Sequence, residues 1–468
     1  MDGNKAHFIG IGGVGMAATA KLLKDAGWEV TGSDEEVYPP ISDFLATEGF
    51  IYQTPYKAEN IPPDADLIVI GKNAKLIPET NAEVKAAYQS GKRIRSFPEV
   101  LGELSAQQQA VVVAGSYGKS TSTALMAHVL QESGLDPSYF IGAIPYTPAA
   151  NAHMGKGGVF VLEGDEYPAS NTDPRSKFLL MRPAHVLITP LAHDHFNIFP
   201  TPEDYLKPFS ELAALVPQDG ALVISTAGSL SKQFIASLAR AAITYGVHEG
   251  DFHAADIAWG ETTAFSLMRG SEKIAELTTN LLGEHNIENI VGVGAFLFTR
   301  ALVTPEQLRN AVASFRGIRR RLDKKSDRTS IPVYEGFGSS YDKLKSAIAA
   351  MKLHFPDRRL VVVFEPNTIA WRSRAALAQY DDAFRGAGKA IIFNPPHDGK
   401  ATELSLEDIV AHVQSAGTET VGVDSAEMAL SAVANGLNDD DAVLISSSGA
   451  MGGLPESIPA LLEKKFPA

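Results

Sequence analysis

Ala6-His7-Phe8-Ile9-Gly10-Ile11-Gly12-Gly13-Val14-Gly15-Met16 is the stretch from which the fold can be read. An apolar run from Ala6 to Ile11 breaks at glycines, and a helical pattern follows from about Met16 to Ala26. That order predicts a parallel strand feeding a helix through a tight turn. In the turn Gly10, Ile11, Gly12, Gly13, Val14 and Gly15, glycines let the backbone approach a diphosphate, and the helix N-terminus favours its charge. The next strand, Trp28 to Gly32, ends at Ser33-Asp34. An acidic residue about 20 positions past the loop suits a ribose hydroxyl. The stretch predicts a nucleotide or nucleotide-sugar site. Glycines that merely permit tight strand–helix packing are the alternative reading, and the motif alone does not separate NAD from another diphosphate.

Composition bounds what surrounds this unit. With 468 residues, the chain is long enough for about three domains. A hydrophobic fraction of 45% with 21% charged residues fits a globular protein and is too apolar for disorder. There is no cysteine, which excludes disulfide scaffolds, thiolate zinc sites, Fe–S clusters and a cysteine nucleophile. A formal charge of −14 argues against a nucleic-acid coat. No run of about 18 apolar residues spans a bilayer, and the N-terminus lacks signal-peptide architecture. We therefore expect a cytoplasmic, multidomain α/β protein with no nucleic-acid partner and no membrane insertion.

Outward from the first loop, β-type runs alternate with amphipathic stretches, the pattern of parallel sheets with helical crossovers. Asp66 to Ile70 reads as a buried strand and Glu79 to Ser90 as a helix. The polar text from Leu104 to Gln109 reads as a linker, and Phe315 to Lys325 as a basic junction. A last α/β region carries strands near Pro332–Tyr334, Leu360–Phe364, Ala390–Phe393, Thr420–Val423 and Ala442–Ser446.

A second glycine loop, Gly115-Ser116-Tyr117-Gly118-Lys119-Ser120-Thr121, follows the strand Ala110–Ala114 and opens a helix. Its amides would cradle phosphates, Lys119 would neutralise them, and the Ser120 or Thr121 hydroxyl would reach Mg²⁺. It departs from the standard P-loop because Val113 replaces the leading glycine. One such loop suffices for a dehydrogenase; an enzyme that spends ATP on a nucleotide-linked substrate needs both.

Two acidic or imidazole clusters follow strands. Val159–Leu162 leads into Glu163-Gly164-Asp165-Glu166, and Thr189–His195 reads as a strand ending in His193-Asp194-His195. Carboxyl ends of strands face the ligand crevice in open α/β sheets, and an oxygen-rich Mg²⁺ site needs only one or two carboxylates. Solvated loop charges are the alternative. Zinc is rejected, because no third ligand stands at a convincing spacing from His193 and His195. Gly283-Glu284-His285-Asn286-Ile287-Glu288-Asn289 opens a helix; asparagine there can read a base edge, but N-capping is the simpler account. Arg319-Arg320-Arg321 could stabilise a transferring phosphoryl group, although a charge run usually marks a solvated face.

In this order the motifs resemble the Mur ligases, the ATP-dependent amide-bond enzymes of peptidoglycan assembly. The matching pieces run along almost the whole chain: the Gly10–Gly15 loop with Ser33-Asp34, the Gly115–Thr121 loop, Glu163–Glu166, Asp194-His195, Gly283-x-His285-Asn286-x-x-Asn289, and Phe315-x-Gly317-x-x-Arg320-Arg321. The resemblance implies three domains: a Rossmann-like domain for the UDP-sugar over 1–107, a central P-loop-type ATPase over 108–318, and a Rossmann-like C-terminal domain for the incoming amine over 319–468. The similar branch is the one acting on UDP-N-acetylmuramate, which includes MurC and the tripeptide-recycling ligase Mpl. Glu166-Tyr167, Pro174-Arg175-Ser176-Lys177-Phe178 and Phe364-Glu365-Pro366-Asn367-Thr368 resemble the recycling ligase more.

Carried over, the resemblance implies that Lys119 and the Gly115–Gly118 backbone bind the ATP phosphates. Ser120 or Thr121, Glu163 and His195 would coordinate Mg²⁺. Asn286 and Asn289 would contact adenine, and Arg321 would reach the γ-phosphate. The implied chemistry is attack of the sugar's lactyl carboxylate on that phosphate, giving an acyl phosphate that the amine of a peptide or amino acid then captures. The chain also departs from the family pattern. Ser116-Tyr117 and Ser120 replace Thr-His and Thr, and Pro190-Leu191-Ala192 replaces Asn-x-Glu. Where the family has Asp-Asp-aromatic-x-His-His-Pro, this chain has Glu335-Gly336-Phe337-Gly338-Ser339-Ser340-Tyr341. Ser339 and Ser340 can hydrogen-bond but cannot act as bases near neutral pH. The alternatives are an L-alanine ligase, a Mur-type ligase with another substrate, and a nucleotide-binding protein with weak catalysis.

Overall fold

The computed structural model describes residues 3–38, 41–195, 198–394 and 404–468. Three α/β sheets follow one another along the chain. The first contains β1 (Lys5–Ile9), β2 (Glu29–Ser33), β3 (Ile51–Gln53), β4 (Leu67–Ile70) and β5 (Arg93–Arg95), in the order β3-β2-β1-β4-β5. Every pairing in it is parallel, from Ala6 opposite Val30 and Leu67 outward. The strand order reverses beside β1, which places the Gly10–Gly15 loop at the switch point where such sheets bind ligands. Helix α1 (Val14–Asp25) leaves that loop two residues earlier than the periodicity predicts.

The second sheet has ten strands. Its parallel centre comprises β6 (Gln109–Ala114), β7 (Ser138–Phe140), β8 (Val159–Glu163), β9 (His185–Ile188) and β10 (Leu222–Ser225), in the order β10-β9-β6-β8-β7. Helix α2 (Lys119–Glu132) follows β6, and its residues Ser120 to Leu130 are all buried. The third sheet has β11 (Arg321–Lys324), β12 (Val333–Gly336), β13 (Arg359–Phe364), β14 (Lys389–Phe393), β15 (Glu419–Val423) and β16 (Asp441–Ser446), in the order β11-β12-β16-β13-β14-β15. Only β11 runs antiparallel to its neighbour.

Two expectations are corrected. The polar stretch 104–109 is not a loose linker: one helix runs Phe97–Leu104, a single turn covers Ser105–Gln107, and β6 begins at Gln109. Ser105 is buried, with its hydroxyl on the carbonyls of Gly102 and Met181. Thr189–His195 is not a strand either. The ladder stops where Thr189 donates to the Ala114 carbonyl. Pro190 then has no N–H to offer, and the segment turns away as irregular chain.

The chain forms two compact units. One gathers the chain through Asp256 with Phe265–Leu277 and Ile287–Phe315; the other holds Ile257–Ala264, Thr278–Asn286 and Arg316–Ala468. Within the first unit, the first two sheets share a core. Ala18 and Leu22 of α1, with Leu101, belong to one buried cluster with Val112, Phe160, Leu162 and Ile188 of the second sheet. Burying an aliphatic side chain contributes about 1.5–3 kcal/mol, so this apolar seam fixes how the two glycine loops face each other.

Candidate active site

At the first loop the Ser33 carbonyl accepts the N–H groups of Gly10 (2.8 Å) and Ile11 (3.1 Å), joining the loop to the end of β2. The Asp34 carboxylate accepts the Gly12 N–H and the Tyr56 hydroxyl, each at 2.8 Å. A Cβ on Gly12 would stand 2.8 Å from that carboxylate, so a larger residue there would push Asp34 from its present position. Asp34, expected to face a ribose, braces the loop itself. The Ser33 side chain also points inward. It is fully buried and donates to Glu83 at 2.6 Å, and Glu83 also pairs with buried His7 at 2.9 Å. Neither Tyr56 nor Glu83 carries a motif signal, because both act from positions distant in the chain.

The second loop is built differently. Gly118 caps α2 in the left-handed region (φ 87°), and a Cβ there would lie 2.5 Å from the Asn289 side-chain oxygen. The Ser116 hydroxyl is 2.7 Å from both the Ala192 carbonyl and the Tyr205 hydroxyl. This ties the loop to the chain beyond β9. The Tyr117 ring is exposed, while Ser120 and Thr121 are buried at the start of α2. The Lys119 ammonium turns back onto the Gly115 carbonyl and pairs with Glu166 at 3.2 Å.

Glu163, at the end of β8, accepts the Ser120 hydroxyl and the Gly142 N–H, each at 2.7 Å. Glu166 is fully buried and also lies 3.1 Å from His195 Nε2. The Tyr167 hydroxyl is 3.0 Å from His195 Nδ1. The hydrogen bond that His195 donates to Glu166, helped by the Asp194 charge, raises the His195 pKa above that of ordinary histidine. His195 itself sits at φ 57°, a backbone conformation rare outside glycine. Asp165 pairs with Lys177; burial opposes its charged form, but the ammonium prevails and its pKa falls. Among the described residues no group of three or more acidic or histidine side chains forms a preassembled metal centre.

The asparagines after Gly283 are buried. Asn286 donates to the Leu282 carbonyl at 2.8 Å, and Asn289 accepts from Ser122 at 3.2 Å. Neither is an N-cap, and in this conformation Asn289 supports the second loop. In the other unit Arg319 and Arg321 are exposed, whereas Arg320 donates to the carbonyls of Ser447 (2.9 Å) and Gly449 (2.7 Å) and pairs with Glu335. Burial, then the charge of Arg321, pushes His285 down to about 4.

Both glycine loops open into one cavity of about 700 Å³, lined by Gly13 and Gly15 on one side and by Lys119, Glu163, Tyr167 and Lys177 on the other. A nucleotide-sugar on the first loop and a triphosphate on the second would meet there. Fold and site thus define an ATP-using enzyme acting on a nucleotide-linked substrate. The chain matches the Mur ligase family catalytic domain over residues 5–109, the Mur ligase middle domain over 113–297 and the Mur ligase glutamate ligase domain over 320–449. It belongs to the Mur ligase family, the ATP-dependent amide ligases of peptidoglycan synthesis.

Among its relatives, the UDP-N-acetylmuramate–L-alanine ligase of Desulforapulum autotrophicum is 29% identical over 97% of this chain and 98% of its own. The UDP-N-acetylmuramate–L-alanyl-gamma-D-glutamyl-meso-2,6-diaminoheptandioate ligase of Escherichia coli is 28% identical over 99% of each. The crystal structure of MurC from Thermotoga maritima superposes with a TM-score of 0.76 at 21% identity, covering 98% of this chain and 99% of that one. No helix among the described residues is long and apolar enough to cross a membrane.

Proposed function

We propose that this chain joins the lactyl carboxylate of UDP-N-acetylmuramate to the amine of a cell-wall peptide, at the expense of ATP. The observation that carries this reading is the single cavity shared by the two glycine loops, one braced by an acid and the other bearing Lys119. In this reading residues 1–107 hold the UDP-sugar, 108–318 hold ATP and 319–468 hold the amine substrate. The Gly10–Gly15 amides take the diphosphate. The Gly115–Gly118 amides and Lys119 take the ATP phosphates.

The donors at the second loop suit a hard divalent cation, since the Ser120 hydroxyl and the Glu163 carboxylate are adjacent oxygen ligands. Ser120, Glu163 and His195 would hold Mg²⁺, which when bound neutralises charge on the transferring phosphoryl group. To do so the His195 ring would exchange its Glu166 or Tyr167 contact for the cation. The carboxylate attacks the γ-phosphate and ADP leaves; the amine then attacks the acyl phosphate, and the tetrahedral adduct collapses to amide and phosphate. Lys119 follows the charge.

A peptide as the amine donor is supported by the segment 163–178. It carries the Arg175-Ser176-Lys177-Phe178 run and is tied at the cavity wall by Asn171, which donates to the carbonyls of Asn73 (2.8 Å) and Leu76 (3.0 Å). L-alanine is the second reading, favoured by relatives of that name at 29% identity. The test is phosphate release from ATP with Mg²⁺ and UDP-N-acetylmuramate, comparing the cell-wall tripeptide, L-alanine and no amine. Turnover with tripeptide alone supports the proposal. Turnover with alanine replaces it, and silence in all three arms sinks both.

A further inference from the structure

Lys72 belongs to neither glycine loop, and nothing above gives it a role. It stands two residues past β4 and lines the shared cavity together with Lys119 and Lys177. Each of the other two lysines has its own acid: Glu166 for Lys119 and Asp165 for Lys177. No carboxylate lies within ion-pair distance of Lys72 among the described residues. Its ammonium is 5.7 Å from the centre of the Tyr167 ring, and that of Lys177 is 5.9 Å from the same ring. Partial burial and the neighbouring Lys177 charge hold its pKa below the ordinary lysine range. The nearest opposing charge it feels is Asp165, which is already ion-paired with Lys177.

The wall it meets has a direction. Phe97 covers Gly15, Lys177 lies over Phe97 and Tyr167, Tyr167 contacts His195, and His195 leads through Glu166 to Lys119. Lys72 joins this line at Tyr167, between the diphosphate loop and the triphosphate loop. The turn that carries it is held to the central sheet's side by the Asn171 bonds to Asn73 and Leu76. A diphosphate on the first loop has the amides before α1, and a triphosphate on the second has Lys119. The carboxylate to be activated must lie between them, where Lys177 is already neutralised by Asp165.

We propose that Lys72 is a substrate-binding residue that pairs with the carboxylate of the sugar-linked acid and so selects for substrates carrying that acid. The inference rests on the ligase reading above. Lys72 is exposed to the cavity, so its replacement leaves the core intact. The test is calorimetric binding to the full chain of UDP-N-acetylmuramate and of UDP-N-acetylglucosamine, which has the same diphosphate and no lactyl carboxylate. Lys72→Met should weaken the first by about tenfold or more, the scale of one charge-assisted contact. It should leave the second unchanged, and Lys72→Arg should retain most of the affinity. Equal loss for both ligands would assign Lys72 to the diphosphate and overturn the proposal, as would no loss for either. A wild-type chain that binds neither ligand would instead overturn the ligase reading, and this proposal with it.

Discussion

At the Gly10–Gly15 loop the brace is an acid: Asp34 accepts the Gly12 amide and the Tyr56 hydroxyl. At the Gly115–Thr121 loop the charged group is the Lys119 ammonium, folded back onto the Gly115 carbonyl and held by Glu166. Both loops follow a central parallel strand and open a helix. A loop with an acid behind it binds an anion through amide dipoles alone. A loop that carries a lysine adds a full charge able to follow a phosphoryl group as it transfers. The same strand–glycine–helix grammar therefore yields one loop braced by a carboxylate and one that carries an ammonium, and under the proposed function the first would hold a substrate and the second would serve the phosphoryl transfer.

The sharpest way to break that contrast is Lys119→Met. Phosphate release should fall by about 10²–10³, the usual loss of one preorganised charge donor. Calorimetric affinity for UDP-N-acetylmuramate should stay within about twofold, no more than a few tenths of a kcal/mol. A parallel loss of sugar-nucleotide binding would mean the loops are not separate in function. Asp34→Ala should do the reverse, weakening the sugar nucleotide by about tenfold while nucleotide-triphosphate affinity holds.

Glu166→Gln sharpens the contrast electrostatically. In the metal-free chain the His195 pKa, raised mainly by Glu166, should fall toward the free value of about 6.5, as followed by NMR titration of the ring. The sign follows from the raised pKa. The His195–Glu166 pair contributes its stability fully below the free value and loses it as pH rises through the folded value. A variant with an unmoved titration would show that Glu166 does not hold His195. Smallest of all, Tyr56→Phe removes one neutral donor to Asp34, and sugar-nucleotide affinity should drop about two- to fivefold.

Much of this was legible because glycine and strand patterns are local. The first loop, the second loop with Lys119, and the acidic end of β8 at Glu163 could be named from spacing alone. Glu166-Tyr167 stood in plain sight three residues past Glu163. What was not legible was their bonding: that Glu166 joins Lys119 to His195, or that Tyr167 meets that imidazole edge to face. Thr189–His195 was misread because its apolar start imitates a strand, while Pro190 and the Ser116 contacts end the ladder. Asp34 was legible as an acid beside the loop, but its bond to Gly12 was not, because the distance from a carboxylate to an amide 22 residues earlier depends on register rather than spacing.

The sequence by itself determined three α/β sheets, two phosphate-type loops and the family whose motifs they match. Backbone freedom at glycine and the alternation of apolar strands with helices are written residue by residue. Only the tertiary structure decided that the two loops share one cavity, that Asp34 and Glu166 serve as braces, and that Lys72 faces Tyr167 there. Those relations join residues from 22 to about 100 positions apart. Positions so far apart meet only after α1 and the helix following β5 bury their apolar faces on the second sheet.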